Sequence, residues 1–216
     1  MPDAIQRVLG LIASILTLPL VALLAVIIRL DSPGPVLYPS RRLGQGAVPF
    51  DCLKLRSMTW QPHAPGPGLT VGDDRRVTRV GRRLRAWRLD ELPQLWQVAS
   101  GRMRFVGPRP EDPRYADLSD PLHREVFSAR PGITGLAQLL HLDEASLLTG
   151  DDHDLRYRQD ILPRKLAIDA AYLRHRSTRL DLWILASTPL ALVGRRPVPP
   201  PGLLPPDRPS ELSRTA

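Results

Sequence analysis

Arg85-Ala86-Trp87-Arg88-Leu89-Asp90-Glu91-Leu92-Pro93-Gln94-Leu95 places two adjacent carboxylates among arginines, at a point where a helix can begin. Pro93 is tolerated in the first turn of a helix, and the unpaired N–H groups of that turn favour carboxylates and phosphate. Two carboxylates would repel a phosphorylated substrate unless a divalent cation intervened. Mg²⁺ is a hard ion that binds one or two carboxylates together with substrate phosphates. The stretch therefore predicts that Asp90 and Glu91 form a metal-assisted centre that handles phosphate.

Arginines on both sides of this stretch are candidate phosphate ligands. Arg85 and Arg88 precede the carboxylates, and Arg109 follows them between two prolines. Guanidinium groups bind phosphate through paired hydrogen bonds. Arg130 opens the turn Arg130-Pro131-Gly132, whose Pro-Gly pair is typical of a type II turn. Arg130 is therefore either a phosphate or nucleotide contact or part of a purely structural turn.

A strand is predicted upstream, within residues 48–58. Alternation around Phe50-Asp51-Cys52-Leu53 continues into Lys54 and Arg56 and places those two cations on one side. They are solvated side chains unless that side meets the carboxylates, in which case they bind phosphate.

Composition limits the partners. The 216 residues carry a formal net charge of +8, which favours anions such as nucleic acid, anionic lipid headgroups or phosphorylated small molecules. Aromatic residues make up only 5% and no nucleic-acid-binding signature is present, so we expect no nucleic acid partner. The single cysteine, Cys52, excludes an intrachain disulfide and a cysteine zinc site.

An apolar run from Val8 to Ile28 contains no charged residue. Its length matches the roughly 20 residues that cross a bilayer, and it is too long for a typical cleaved signal peptide. Pro19 near its middle can bend the helix, and arginines flank both ends, which suggests that both ends are cytoplasmic. A re-entrant membrane helix is favoured over a straight span. A buried soluble helix is the third alternative, disfavoured because the run has no polar stripe.

The rest of the chain predicts a small α+β catalytic domain, mainly helical with a short β element. A Pro- and Gly-rich loop between Trp60 and Gly72 could form a flap over the site. Residues from Leu162 to Val193 have a helical pattern with apolar and Trp residues, typical of an interfacial amphipathic helix. We therefore expect a re-entrant membrane helix-hairpin at 1–32, a cytoplasmic catalytic domain that includes interfacial helices at 33–193, and a Pro-rich disordered tail at 194–216.

These motifs resemble, in order, those of the monotopic phosphoglycosyl transferases, over roughly Arg7 to Val193. The resemblance implies an enzyme at the cytoplasmic face of the bacterial inner membrane. Such an enzyme transfers a sugar-1-phosphate from a UDP-sugar to undecaprenyl phosphate and releases UMP. The matching stretches are Pro19, Gly34-Pro35-Val36, Lys54 to Met58, Asp74 to Gly81, Leu89 to Leu95, Val106 to Pro110, Arg130 to Gly135, Asp169, Tyr172, Ser177 and Asp181.

The resemblance also implies roles for individual residues. Asp90 would be the nucleophile of a ping-pong reaction through a phospho-aspartyl intermediate, and Glu91 would help to hold Mg²⁺. The substrate-binding residues carried over by position or by chemistry are Lys54, Arg56, Arg85, Arg109, Arg130 and Asp169. Membrane lipid would surround the enzyme. Two copies of the enzyme could form a homodimer through their apolar helices. The alternative is a catalytically inactive membrane scaffold of the same fold.

Several positions depart from the family pattern. Gly10 stands about where the family has an acidic residue in the apolar segment. Leu18 stands where the family has a serine before the membrane proline. The asparagine that follows the carboxylates is Gln97. Arg102 and Arg104 bring positive charge where the family has an acidic and a hydroxyl group, which bears on donor preference and metal binding. The glutamine expected after the Gly-Pro-Val strand is Ser40.

Overall fold

A computed structural model describes residues 1–61, 74–140, 153–195 and 197–203 of the protein. Its architecture confirms a mainly helical α+β fold with short β elements. The helices are α1 (Asp3–Asp31), α2 (Arg79–Ala86), α3 (Gln94–Ala99), α4 (Pro121–Ser128), α5 (Leu136–Leu140), α6 (His153–Arg156), α7 (Leu162–Arg174) and α8 (Thr178–Leu192). The strands are β1 (Leu37–Leu43), β2 (Pro49–Leu55), β3 (Arg104–Val106) and β4 (Gly132–Thr134).

Helix α1 is continuous over 29 residues and includes Pro19. It is long and apolar enough to cross a membrane, and most of its apolar side chains are exposed. Gln6, Gly10 and Ser14 are buried on the face of α1 that lies toward the domain. A Cβ at Gly10 would lie 2.9 Å from the backbone nitrogen of Ala99. The small, polar face of α1 therefore packs closely on α3, and its apolar faces point outward.

Both ends of α1 contact the same domain. Near its start, Arg7 donates to the carbonyl oxygen of Ala99 at 3.2 Å, and Gln6 accepts from the backbone N–H of Phe105 at 3.1 Å. At its end, the Arg56 guanidinium donates to the carbonyl oxygens of Ile28 and Ser32 at 3.3 and 2.6 Å. The last carbonyls of a helix lack partners within the helix, so Arg56 caps α1.

Two small sheets position the site. β1 and β2 form an antiparallel hairpin in which Tyr38 pairs with Lys54. β3 and β4 are parallel, and a Cβ at Gly132 would lie 2.2 Å from the backbone nitrogen of Gly107. Only glycine permits this approach, which joins the segment containing Arg109 to the turn after Arg130.

The predicted C-terminal helical region consists of two helices with different surroundings. Most of α7 is buried, whereas α8, whose N-terminus is capped by Ser177, leaves Leu182 and Leu190 exposed. Leu203, which lies in the tail predicted to be disordered, is buried in the apolar cluster that includes Ile184. The predicted flap at 62–72 and residues 204–216 of the tail lie outside the described residues.

Candidate active site

The backbone presents Asp90 and Glu91 before a helix, not inside its first turn as predicted. They lie in a 3₁₀ turn spanning Leu89–Glu91, and α3 begins only at Gln94, after Pro93. Arg88 enters the turn with φ of 54°, a left-handed conformation that is uncommon for a residue other than glycine. Backbone strain of this kind is frequently found at functional sites.

Glu91 lies at the centre of a cluster of cations. It is 5% exposed, and its Oε1 lies 3.1 Å from Lys54 Nζ, 2.7 Å from Arg109 Nη2 and 3.7 Å from Arg88 Nη1. Burial opposes ionisation, but Arg109 and Lys54 outweigh it and hold the pKa of Glu91 well below its usual range. Glu91 is therefore a carboxylate that fixes the positions of three cations around the site.

Asp90 is equally buried but differently surrounded. Among the residues that the structure describes, its Oδ1 has no hydrogen-bond partner. Burial, reinforced by the charge of Glu91, raises the pKa of Asp90 against the lowering effect of Lys54 and Arg85. A buried acceptor without a partner is costly in a folded protein and suggests a missing ligand. Asp90 is thus the carboxylate that is available for chemistry.

Two contacts hold this arrangement in place. Arg85 donates from Nε to the Ser57 hydroxyl at 2.8 Å, which holds its guanidinium near Asp90. The Gln97 amide donates to the carbonyl oxygen of Asp51 at 2.6 Å and accepts from the backbone N–H of Leu53 at 3.0 Å. Gln97, a departure from the family pattern, therefore connects α3 directly to the strand that carries Lys54.

The structure brings Lys54, Arg85 and Arg109 to the carboxylate pair, but it places the other predicted ligands elsewhere. Arg56 caps α1. Arg130 donates to the Gln45 side chain at 3.0 Å and forms an ion pair with Asp3 at 3.0 Å. Asp169 is buried on α7, and no described contact joins it to the pair. The substrate-binding roles of Arg56, Arg130 and Asp169 therefore stay predictions without a geometric basis here.

The two unusual arginines after α3 also differ from each other. Arg104 is buried and forms an ion pair with Asp3, whereas Arg102 is exposed. Neither has a described contact with Asp90 or Glu91. The positive charge at these positions therefore lies at the start of α1 or in solvent.

The site has two features that sequence reasoning did not assign: the pairing of Arg88, expected only as a phosphate ligand, with Glu91, and a neighbouring cavity. Arg88 forms an ion pair with Glu91, and their spacing of three residues was a signal for it. The second is a cavity of about 140 Å³ beside Glu91, formed by segments far apart in the sequence. Its lining residues are Arg88, Glu91, Leu92, Leu95, Ile133, Thr134, Gln138, Leu139, Thr188, Ala191 and Leu192.

The carboxylate pair fits Mg²⁺ in part. Among the described residues, no three His, Cys, Asp or Glu side chains are grouped to hold a metal. Mg²⁺ commonly needs only one or two carboxylates together with substrate phosphates. Asp90 can supply a carboxylate for that role, whereas the oxygens of Glu91 face Lys54 and Arg109. The donor set is therefore compatible with a metal that arrives with its substrate.

Comparison with known proteins gives the class. A family model described as "Bacterial sugar transferase" matches residues 2–195, and the chain belongs to this family. It is therefore of the transferase class.

Three relatives illustrate the likeness. A UDP-glucose:undecaprenyl-phosphate glucose-1-phosphate transferase of Caulobacter vibrioides is 38% identical over 86% of this chain and 68% of the relative. A UDP-N-acetylgalactosamine-undecaprenyl-phosphate N-acetylgalactosaminephosphotransferase of Aeromonas hydrophila is 36% identical, over 85% of this chain and 42% of the relative. An undecaprenyl-phosphate glucose phosphotransferase of Komagataeibacter xylinus is 39% identical, over 85% of this chain and 35% of the relative. The chain thus spans less than half of the length of the last two relatives.

Proposed function

We propose that the protein transfers a sugar-1-phosphate from a UDP-sugar to undecaprenyl phosphate, releases UMP and so starts the assembly of a polysaccharide or glycan. The single observation that carries the proposal is the buried Asp90 oxygen without a partner, beside a carboxylate surrounded by three cations. The printed names of the relatives supply the substrate classes.

The reaction would proceed in two displacements. In the first, an oxygen of Asp90 attacks the phosphorus that bears the sugar, the bond to the bridging oxygen breaks, and UMP leaves with the electron pair. In the second, a phosphate oxygen of undecaprenyl phosphate attacks the same phosphorus and Asp90 leaves as a carboxylate. Covalent catalysis of this kind divides one difficult transfer into two easier steps.

The cations around Glu91 would stabilise the charge on the phosphoryl group. Arg109 can offer two donors to phosphate oxygens, and Lys54 adds a compact charge at the other side of Glu91. Because Glu91 holds both in place beforehand, they need little rearrangement when charge develops. Mg²⁺ that binds at Asp90 together with the donor phosphates would supply further neutralisation of phosphate charge.

We also propose that α1 is re-entrant and holds the domain on the cytoplasmic face of the membrane. A straight span would place the ends of this helix, about 43 Å apart at 1.5 Å per residue, on opposite sides of the bilayer. Arg7 at one end and Arg56 at the other instead bind both ends to one domain. The exposed apolar residues between them would face lipid.

The test is release of UMP from a panel of UDP-sugars by the full chain in detergent. We expect release that depends on undecaprenyl phosphate and Mg²⁺ and produces an equal amount of lipid-linked sugar. D117N, which alters an exposed carboxylate, is the matched control and should retain activity. A folded protein that releases no UMP with any of these donors would instead support the inactive scaffold.

A further inference from the structure

The cavity beside Glu91 has a charged end and an apolar body. Arg88 and Glu91 lie at the charged end, where their side chains are 3.7 Å apart. The remaining walls come from α3, β4, α5 and the last turn of α8, and most of them are Leu, Ile or Ala side chains. The cavity thus extends from the carboxylate and cations of the candidate site into a region lined by apolar side chains.

The polar groups in the apolar body are mostly occupied. The hydroxyls of Thr134 and Thr188 lie 2.9 Å apart, and Thr188 also donates to the carbonyl oxygen of Ile184 at 2.8 Å. The Gln138 amide oxygen has no partner among the described residues. One acceptor cannot satisfy the several hydroxyl groups of a sugar, and unpaired polar groups are costly to bury. The cavity therefore suits an apolar occupant.

Exposed apolar side chains flank the cavity residues in the sequence. Trp96, next to the lining residue Leu95, is 45% exposed. Leu190 and Val193, on either side of Ala191 and Leu192, are 47% and 60% exposed. Adjacent exposed apolar groups of this kind mark surfaces that bind protein, ligand or membrane. The two helices that line the cavity, α3 and α8, therefore also carry exposed apolar side chains.

We propose that this cavity binds the isoprene unit next to the phosphate of the acceptor lipid, with the phosphate directed toward Arg88. The assignment rests on the proposed function for the identity of the acceptor. A dry apolar cavity of about 150 Å³ accepts a molecule of the size of benzene, so a cavity of about 140 Å³ accommodates roughly one isoprene unit. Arg88, Leu192 and Ala191 then contribute to acceptor recognition and not to donor recognition.

A binding experiment that needs no catalysis tests the site. The chain has one cysteine, Cys52, which is buried, so a thiol introduced by L192C can be alkylated selectively in the full-length protein. The control A186C lies on the same helix at an exposed position outside the cavity lining. The probes are undecaprenyl phosphate, UDP-glucose and inorganic phosphate, each added before the alkylating reagent.

We expect undecaprenyl phosphate to slow alkylation of L192C by about fivefold or more, because pockets bury roughly 70–90% of a ligand's surface. A186C should react at its usual rate with every probe, and UDP-glucose and inorganic phosphate should leave L192C unprotected. Equal alkylation of L192C with and without undecaprenyl phosphate would overturn the proposal. Protection by UDP-glucose alone would also overturn it and assign the cavity to the donor.

Turnover gives a second, independent readout. A191F fills the cavity from α8, and we expect it to raise the KM for undecaprenyl phosphate by about tenfold or more, since small changes of shape in apolar pockets have effects of this size. UMP release in the donor half-reaction should stay near the wild-type rate, and A186F should change neither quantity. A folded A191F with an unchanged acceptor KM would contradict the proposal. Absence of turnover in the wild type would instead refute the proposed function, while the alkylation result would still decide the binding site.

Discussion

Two of the buried carboxylate groups in the described part of the chain, the Asp90–Glu91 pair and Glu111, differ in how completely their oxygens are paired. At the first, Glu91 is surrounded by cations while one oxygen of Asp90 has no partner among the described residues. At the second, Glu111 accepts from the Tyr157 hydroxyl at 2.6 Å, from Lys165 at 3.4 Å and from the backbone N–H of Asp112 at 2.9 Å.

The second centre is held by hydrogen bonds and by apolar packing, which stabilise the fold. Lys165 also donates to the Tyr157 hydroxyl at 2.8 Å, and Tyr157 is part of an apolar cluster with Val126 and Leu166. Both oxygens of Glu111 are hydrogen-bonded, so the network fixes the segment that follows Arg109. The comparison teaches that burial of a carboxylate beside a lysine does not identify a reactive centre. An oxygen left without a partner is the more informative feature.

The largest effect should come from D90N. This change removes the proposed nucleophile, and we expect sugar-phosphate transfer to fall by on the order of 10⁴-fold or more, as for removal of other covalent nucleophiles. The melting temperature should stay the same or rise, because the charge of a buried, incompletely paired carboxylate is lost. Transfer assays and thermal denaturation of the same preparation test both halves. An active D90N would remove the distinction between the two centres.

The next largest effect should be on stability, in E111A. Removal of Glu111 takes away a carboxylate that pairs with the buried Lys165 ammonium at 3.4 Å, and breaking a buried ion pair typically costs about 3–5 kcal/mol. The matched control is E125A, whose partner Arg174 is largely exposed. That pair should contribute less than about 1 kcal/mol. Chemical denaturation in detergent provides the comparison, and equal losses in the two variants would show that the Glu111 network is not structural.

A smaller effect on activity is expected from R109K. Lysine keeps the positive charge but loses the paired donors that hold Glu91 and would bind phosphate. We expect kcat/KM to fall by on the order of 10²-fold with little change in stability. The control is R114K, which changes an exposed arginine in the same segment that pairs with Asp112. A loss of similar size in R114K would mean that the segment, and not the Arg109 fork, is responsible.

The smallest effect should come from Y157F, which removes the hydrogen bond to Glu111 and the one that Lys165 donates to the Tyr157 hydroxyl. We expect a loss of about 1 kcal/mol near neutral pH. Burial opposes ionisation of Glu111, but Lys165 and the Tyr157 hydroxyl hold its pKa below the usual range. Its stabilising contribution is therefore complete above the ordinary glutamate pKa of about 4.3 and lost as the pH falls through the lower folded value. The melting-temperature difference between wild type and Y157F should shrink over that acidic range, and a constant difference would contradict this linkage.

Much of the reactive centre could be predicted because its signals are local. Asp90 and Glu91 are adjacent, Arg85 is five residues before Asp90, and Arg109 is marked by its prolines. The structure places all four around one point. The strand pattern left Lys54 either solvated or beside the pair, and the structure places it on β2 at 3.1 Å from Glu91.

The positions of Arg56 and Arg130 could not be predicted because they depend on α1. β2 ends at Leu55, so the alternation that would have kept Arg56 beside Lys54 stops there. Arg56 instead satisfies carbonyls at the end of α1, and Arg130 pairs with Asp3 at its start. The apolar pattern predicts a separate membrane segment at 1–32. It contains no signal that this helix lies along the domain and is contacted by arginines of the domain.

The most direct test of the central claim is mass spectrometry of the protein after incubation with a UDP-sugar and Mg²⁺ but no acceptor. We predict an added sugar-phosphate mass on the peptide that contains Asp90, absent from D90N and discharged when undecaprenyl phosphate is added. Continued release of UMP and formation of lipid-linked sugar, with no adduct on Asp90, would contradict the claim that its unpartnered oxygen is the attacking group.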